Sequence, residues 1–313
     1  MTVALLGGAA MTVGGTLAPL YPAADLLNHF RPYALAGTSA LLLAALALRA
    51  RLTIAPSAVL VALNAALLAL PLLWSAAPAE PHAAGQALAS VGHRDLKLVT
   101  FNTRFGDPES LARFLLDQDA DIVVLQEIAP RQATALAALL RERYPHSHAC
   151  RPQHRCAAAI FAKQAWVAAG QDEWTKDSPE TIWAQFDDAE TGKLRVIGVH
   201  LALPLRPDTQ TRHVERLIAR RASVAGPILI AGDFNMTPWS YRLQRLLAST
   251  GLRRHATFLR SWPTDRQFRL PAPAFLIDHV LTTPDIASVS IRTGPKVGSD
   301  HLPVIARVRL PPA

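Results

Sequence analysis

In the last two-thirds of this 313-residue chain, nearly every strongly apolar run ends in a carboxylate, an amide or an imidazole. Asn102 closes LKLVTFN, Gln126 and Glu127 close IVVLQE, and His200 closes VIGVH. Asp233 and Asn235 follow ILIAG, Asp278 lies in FLIDHV, and Ser299, Asp300 and His301 precede LPVIARVRL. Carboxylate and amide oxygens are the donors that hard divalent cations prefer. A histidine held by a carboxylate moves protons near neutral pH. Taken singly, an Asp after a strand is commonly a turn or helix cap, and a lone His is commonly structural. Together, such groups at the ends of successive apolar runs point to a functional site where rigid strand ends converge.

The elements that must position them are legible as alternating strands and helices. Strands are expected at 96–102, 121–128, 157–162, 181–186, 194–201, 227–234, 275–282 and 302–310, and amphipathic helices at 108–118 and 133–144. Many strands with few helices between them predict layered sheets with helices outside. The chain has no internal repeat.

TFN, LQE, GVH, GDFN, IDHV and GSDH occur in this order from Lys97 to Leu310. In that order and spacing the chain resembles the endonuclease/exonuclease/phosphatase superfamily, which includes DNase I, abasic-site endonucleases, neutral sphingomyelinases and inositol-polyphosphate phosphatases. The resemblance implies an α/β fold, a four-layered sandwich of two packed mixed sheets flanked by helices. It implies hydrolysis of a phosphodiester, in nucleic acid, phospholipid or a small molecule, with Mg²⁺ or Mn²⁺. By the same resemblance Glu127 is the principal metal ligand, supported by Asn102 and Asp300. His301 acts as general base or stabilises the pentacoordinate phosphorus, and Asp278 fixes its tautomer. Asp233 orients the attacking water, Asn235 binds a phosphate oxygen, and His200 contacts the scissile phosphate or protonates the leaving group. Family members commonly carry Ser-Arg or Ser-Lys after the strand at 157–161; here Phe161, Ala162 and Lys163 stand there, so Lys163 is a candidate for the basic role. His279 should face away from Asp278 on the same strand. Trp239, Ser240, Trp262 and Pro263 are candidates for the pocket rim or for local packing. The competing reading from another class is a catalytically idle, membrane-anchored binding or assembly module that keeps the fold.

Composition divides the chain near residue 93. Before it the only charged side chains are Asp25, Arg31, Arg49, Arg51 and Glu80, so the remainder holds most of the net +8. A basic catalytic region suits phosphate-bearing substrates, although no Lys/Arg run marks a nucleic-acid arm. Residues 1–76 are expected to form a membrane region with about three transmembrane helices, over Val3–Leu20, Tyr33–Leu48 and Leu52–Trp74; a signal peptide is the alternative for the first. Residues 77–92 read as an Ala-rich tether and 93–313 as the catalytic domain. Arg49 and Arg51 place the second connection in the cytoplasm and the catalytic domain on the periplasmic or outer side of the cell membrane, with Arg31 arguing the other way. A lipid bilayer is thus an expected partner, and no protein partner is predicted. Cys150 and Cys156 are close enough to form a disulfide in an oxidising compartment; with His148 and His154 they offer a metal site instead.

Overall fold

The computed structural model describes residues 1–76, 94–104, 106–151, 156–188, 192–255, 258–264 and 275–312. The expected tether at 77–92, and His154, lie outside the described residues.

Two six-stranded mixed sheets stack face to face. The first has the order β11-β12-β1-β2-β4-β3, with β1 Arg94–Asn102, β2 Ile122–Gln126, β3 His146–Ala149, β4 Ala158–Ala162, β11 Ala287–Thr293 and β12 Val304–Leu310. The second runs β5-β6-β7-β8-β10-β9, with β5 Ala168–Asp172, β6 Glu180–Asp188, β7 Gly192–His200, β8 Ile228–Asp233, β9 Arg253–Arg254 and β10 Asp278–Thr282. Pairs β1–β2 and β7–β8 are parallel and the others antiparallel.

Side-chain alternation builds three cores. Leu98, Val124, Ile160, Ile182, Val196, Ala231 and Val280 interdigitate between the sheets. Their sequence neighbours Val99, Phe101, Val123 and Leu125 point outward, against Leu111, Leu115, Leu136 and Leu140 of α5 (Pro108–Gln118) and α6 (Pro130–Leu140). On the opposite outer face Ile197, Val199 and Ile230 meet Val214, Leu217, Leu243 and Leu246 of α7 (Pro207–Ala222) and α8 (Tyr241–Thr250). The result is the four-layered α/β sandwich expected. Helix α5 starts where it does because the Asp107 carboxylate accepts the amides of Glu109 and Ser110, with Pro108 at its first position.

The N-terminal segment folds into α1 (Thr2–Thr16), a 3-10 turn at Pro22–Ala24, the single turn α2 (Asp25–Asn28), α3 (Arg31–Ala47) and α4 (Arg51–Ala76). Among the described residues only Arg51–Leu72 is by itself long and apolar enough to cross a membrane; Pro22–Asn28 with Arg31–Ala47, bent by 59°, would form a second span, and Thr2–Thr16 is a shorter apolar helix. Length and composition therefore support one span or two, where sequence reading expected about three. Asn64 donates to Thr12 and Arg31 to the Thr12 carbonyl, so α1 runs alongside α4 and against α3. Arg31 is buried, and Asn28 Oδ1 accepts its remaining donors. It is therefore an internal crosslink, which removes its weight from the loop-charge comparison.

The near end of this bundle is joined to the sandwich. Asp25, fully buried, accepts from Ser240 Oγ at 2.7 Å, Tyr241 N at 2.7 Å and Arg242 Nη1 at 3.0 Å. It thus caps the N-terminus of α8, a helix 215 residues away in sequence, whose own Ser240 makes no cap bond. Trp239 Nε1 donates to Leu68 O, and Leu72, Trp239 and Leu276 share a small apolar cluster. Trp239 and Ser240 therefore hold the N-terminal helices and do not line the pocket rim. Asp25→Ala would leave the Arg242 guanidinium buried and unpaired, a cost of about 3–5 kcal/mol. A markedly lower unfolding temperature is expected when the full variant chain is melted in detergent.

Candidate active site

Strand parity puts the polar residues on one face. In β1 the inward positions run Leu96, Leu98, Thr100 and Asn102; in β8 they run Leu229, Ala231 and Asp233. In β7, Leu194, Val196, Gly198 and His200 share a face, and in β10 Asp278 shares one with Val280. Register then aligns them. His200 sits beside Asp233 in the parallel pair, and Asp233 opposite Asp278 in the antiparallel one. The apolar layer between the sheets therefore ends in a polar row. Gly232 permits it: its φ is +147°, and an added Cβ would lie 2.0 Å from the Val199 carbonyl.

Hydrogen bonds then tie the two sheets together. Asn102 Nδ2 donates to Glu127 Oε1 at 3.0 Å and to Asp233 Oδ2 at 3.1 Å. Glu127 follows β2 with a left-handed φ of 50°, which turns its carboxylate into the cleft. Its Oε1 is 3.6 Å from His200 Nε2. Asp233 Oδ2 lies between the histidines, 3.8 Å from His200 Nε2 and 3.7 Å from His301 Nε2. His301 Nδ1 donates to Asp278 Oδ2 at 2.8 Å, which fixes the tautomer. Ser299 Oγ donates to Asn102 O at 2.7 Å and accepts from His301 N, tying the loop before β12 to the end of β1. Asn235, also at positive φ, donates Nδ2 to Leu201 O at 2.9 Å, while its backbone amide donates to Asp233 Oδ1 at 2.8 Å.

All eight residues expected at the site are thus brought together, with Asp300 slightly apart. Asp300 Oδ2 accepts from Trp262 Nε1 at 3.2 Å, and Arg104 lies 3.7 Å from both Asp300 Oδ2 and Glu127 Oε2. Asp300 Oδ1 is buried with no hydrogen-bond partner. An unpaired buried carboxylate oxygen beside a second carboxylate is a donor set that a hard cation fits. Glu127, His200 and Asp233, and Asp233, Asp278 and His301, form two further groups compact enough to share an ion.

The electrostatics follow from proximity. Burial pulls the His200 pKa down, but the hydrogen bond to Glu180 and the charges of Asp233, Glu180 and Glu127 outweigh it and hold it at about 9. Burial opposes Asp278 and Asp233 in the same way at His301, which also rises to about 9. Burial and the facing Asp278 raise Asp233 to about 6, despite both histidines.

Two residues were missed by sequence reading. Glu180 Oε1 sits 3.3 Å from His200 Nδ1 and Oε2 accepts the amide of Ala157. The signal was available: β6 and β7 form a hairpin, so the first residue of one must face the last residue of the other, as Glu180 faces His200. Arg104, just beyond Asn102, carried no pattern. Lys163, a candidate for the basic role, is instead paired with Asp119 and Asp121. Because β4 runs antiparallel to β2, its C-terminal end lies at the opposite edge of the sheet from Glu127. His279 points outward, donates Nε2–H to Met236 O at 2.7 Å, and is driven by burial to a pKa of about 3; it is structural. Cys150 and Cys156 form a disulfide.

The site floors a cleft of about 500 Å³ lined by Glu127, His200, Asp233, Asn235 and His301, with Trp262 and Pro263 on its rim and Leu26, His29 and Phe30 from the N-terminal segment. Glu180→Ala would leave His200 Nδ1 and the Ala157 amide without their acceptor, at about 1–3 kcal/mol. Faster amide hydrogen exchange at Ala157 and a lower unfolding midpoint are expected.

A family model described as "Endonuclease/Exonuclease/phosphatase family" matches residues 99–301. No curated protein matches the chain in sequence. Among solved structures, the chain is similar to an endonuclease/exonuclease/phosphatase from Bacteroides vulgatus, at 19% identity over 69% of this chain and 99% of that one, TM-score 0.57. It is similar to sphingomyelinase C from Streptomyces griseocarneus, at 18% identity over 68% of this chain and 99% of that one, TM-score 0.53. It is also similar to the inositol polyphosphate 5-phosphatase domain of SPsynaptojanin, solved with inositol (1,4)-bisphosphate and a calcium ion, at 17% identity over 70% and 85%, TM-score 0.52. At these identities the likeness establishes the fold.

Proposed function

Because the chain belongs to the endonuclease/exonuclease/phosphatase family, whose members hydrolyse phosphate esters, we propose that it is a divalent-metal-dependent phosphodiesterase held at a membrane by its N-terminal helices. The observation that carries this reading is the convergence of Asn102, Glu127, His200, Asp233, Asp278 and His301 on one cleft floor.

Glu127 and Asp300, supported by Asn102, would hold Mg²⁺ or Mn²⁺. When bound, such an ion neutralises charge on the phosphoryl oxygens. The remaining work falls to the protein. Asp233 orients a water for in-line attack on phosphorus; the new P–O bond forms as the bond to the leaving alcohol breaks. Asn235 spends one amide hydrogen on Leu201 O and offers the second to a phosphate oxygen. His301, its Nδ1–H held by Asp278, presents Nε2 to the reacting centre. There, with its pKa raised to about 9 and the ring cationic near neutral pH, it steadies the negative charge on the crowded phosphorus. His200, held by Glu180, is placed to protonate the leaving oxygen. An idle binding module would have no need of two histidines each oriented by its own carboxylate.

Membrane attachment is supported by the surface of Arg51–Leu72, whose most apolar window is only 17% buried, unlike the core helix of a soluble protein. Arg49 and Arg51 sit at the end of the bundle remote from the catalytic layers, and the positive-inside rule then favours an extracytoplasmic catalytic domain. The Cys150–Cys156 disulfide agrees with an oxidising compartment.

The test is turnover of bis-p-nitrophenyl phosphate by the full chain with Mg²⁺, Mn²⁺ or EDTA. Metal-dependent hydrolysis is expected, falling by at least 10² in His301→Ala and to background in Glu127→Ala. Hydrolysis that survives EDTA and both substitutions would refute the assignment.

A further inference from the structure

One wall of the cleft comes from the N-terminal segment. Leu26, His29 and Phe30 line it together with Leu203, Leu205 and Phe275. Phe30 stands edge-on to Phe275, with ring centroids 5.6 Å apart, and Tyr33 packs on the same ring. Leu203 and Leu205 are 51% and 72% exposed, although both are large and apolar. Leu20, Tyr21 and Tyr33, at the same end of the helices, are also exposed. Aromatic and aliphatic side chains gathered there are what a helix end at a bilayer interface carries. His29 is a separate observation. It is 4% exposed, lines the cleft, and its Nε2 has no hydrogen-bond partner. Buried polar atoms in folded proteins are nearly always satisfied, so an unsatisfied one in a cleft wall asks for a ligand atom.

We propose that this cleft binds an amphiphilic phosphodiester drawn from the bilayer. Its phosphate rests on the catalytic floor, a polar group next to the phosphate meets His29, and a hydrocarbon chain lies along Leu26, Phe30, Leu203, Leu205 and Phe275. The proposal rests on the phosphoesterase reading of the floor and adds the substrate class. Nucleic acid fits the wall poorly. A strand's successive phosphates need a track of cations, and Arg104 is the sole arginine or lysine among the cleft's described lining residues.

The test uses the full chain in a fixed concentration of maltoside detergent and p-nitrophenyl phosphodiesters whose second ester group is methyl, butyl or octyl. The leaving group, and so the chemistry, stays constant. At least a tenfold rise in kcat/KM from methyl to octyl is expected, and a rise below threefold in Phe30→Ser and in Leu203→Ser/Leu205→Ser. The leucine variant alters exposed side chains and so should fold even if the Phe30 variant does not. A 2-methoxyoctyl ester, whose ether oxygen accepts a hydrogen bond but cannot attack the phosphorus, should outpace the octyl ester severalfold and lose that margin in His29→Phe; equal rates in the wild-type chain would overturn the His29 contact. A flat chain-length series, or an oligonucleotide cleaved more efficiently than the octyl ester, sinks the lipid proposal while leaving the phosphoesterase reading intact. If no ester is hydrolysed, the phosphoesterase reading fails and calorimetry decides the cleft. Octylphosphonate binding at least tenfold tighter than methylphosphonate would uphold the apolar subsite; equal affinities would overturn it.

Discussion

The end of the inter-sheet layer is the constraint on which the site depends. In β1, β7 and β8 the inward-facing positions, Thr100 apart, are apolar up to a polar last member, and in β6 and β10 the polar member comes first. At that member the two sheets exchange hydrocarbon packing for hydrogen bonds. Glu180, His200, Asp233 and Asp278 lie on adjacent strands in one register row. Asn102 reaches across from the other sheet to Asp233. A one-residue slip of any strand would turn its polar residue toward the helices and bring a hydrophobic one into the cleft. The apolar core therefore specifies the geometry of the polar row: the pattern that makes the sheets stack also fixes which residue sits at the rim. Gly198 contributes from the apolar side. A Cβ there would lie 2.4 Å from Val124, so its absence lets the sheets approach closely just before His200.

Gathering this many ionisable groups costs desolvation energy that the fold must offset. The offset is visible in the pairing, since each histidine has a dedicated carboxylate and Asp233 sits between the two rings. Asp233 is raised by burial and by Asp278, the histidines by their carboxylates. The cluster is thus poised to give up or take protons when a phosphate anion or a cation changes its charge balance. Arg104 stands between Glu127 and Asp300, supplying positive charge where two carboxylates would otherwise repel.

Much of this could be read in the sequence because apolar strands buried on both faces announce themselves. The proposed residues lay at or beside the ends of such runs, apart from Asp278 within FLIDHV, and motif order supplied their grouping. What escaped reading had weak apolar signals. Strand β11, ASVSIRT, is an edge strand with mostly exposed side chains. Helix α7 buries only Val214 and Leu217 among its aliphatic residues, in an otherwise charged segment. Glu180 was missed because it opens an apolar run instead of closing one. The assignment of Lys163 failed for a topological reason: sequence proximity to a strand end says nothing about which end of the sheet that is until strand directions are known.

The N-terminal helices were legible as apolar but not as part of the site. Composition separates them so sharply from the rest that a tethered anchor was the natural reading. Their main polar attachment is one buried carboxylate, and composition cannot show what that carboxylate binds. Asp25 replaces the side-chain cap that Ser240 does not provide, and it neutralises Arg242, whose guanidinium also reaches Gln210 Oε1 at 3.3 Å. Gln210 in turn donates to the carbonyls of Ala202 and Asn235. A continuous chain of hydrogen bonds thus runs from the helix turn to the backbone of a cleft residue. Asn28 extends it outward, bonding Asp25 to Gly15 and to Arg31. The position of the bundle and the position of the Asn235 backbone are therefore fixed by the same network. A swinging tether would need no such network; a bundle that forms one wall of the cleft does.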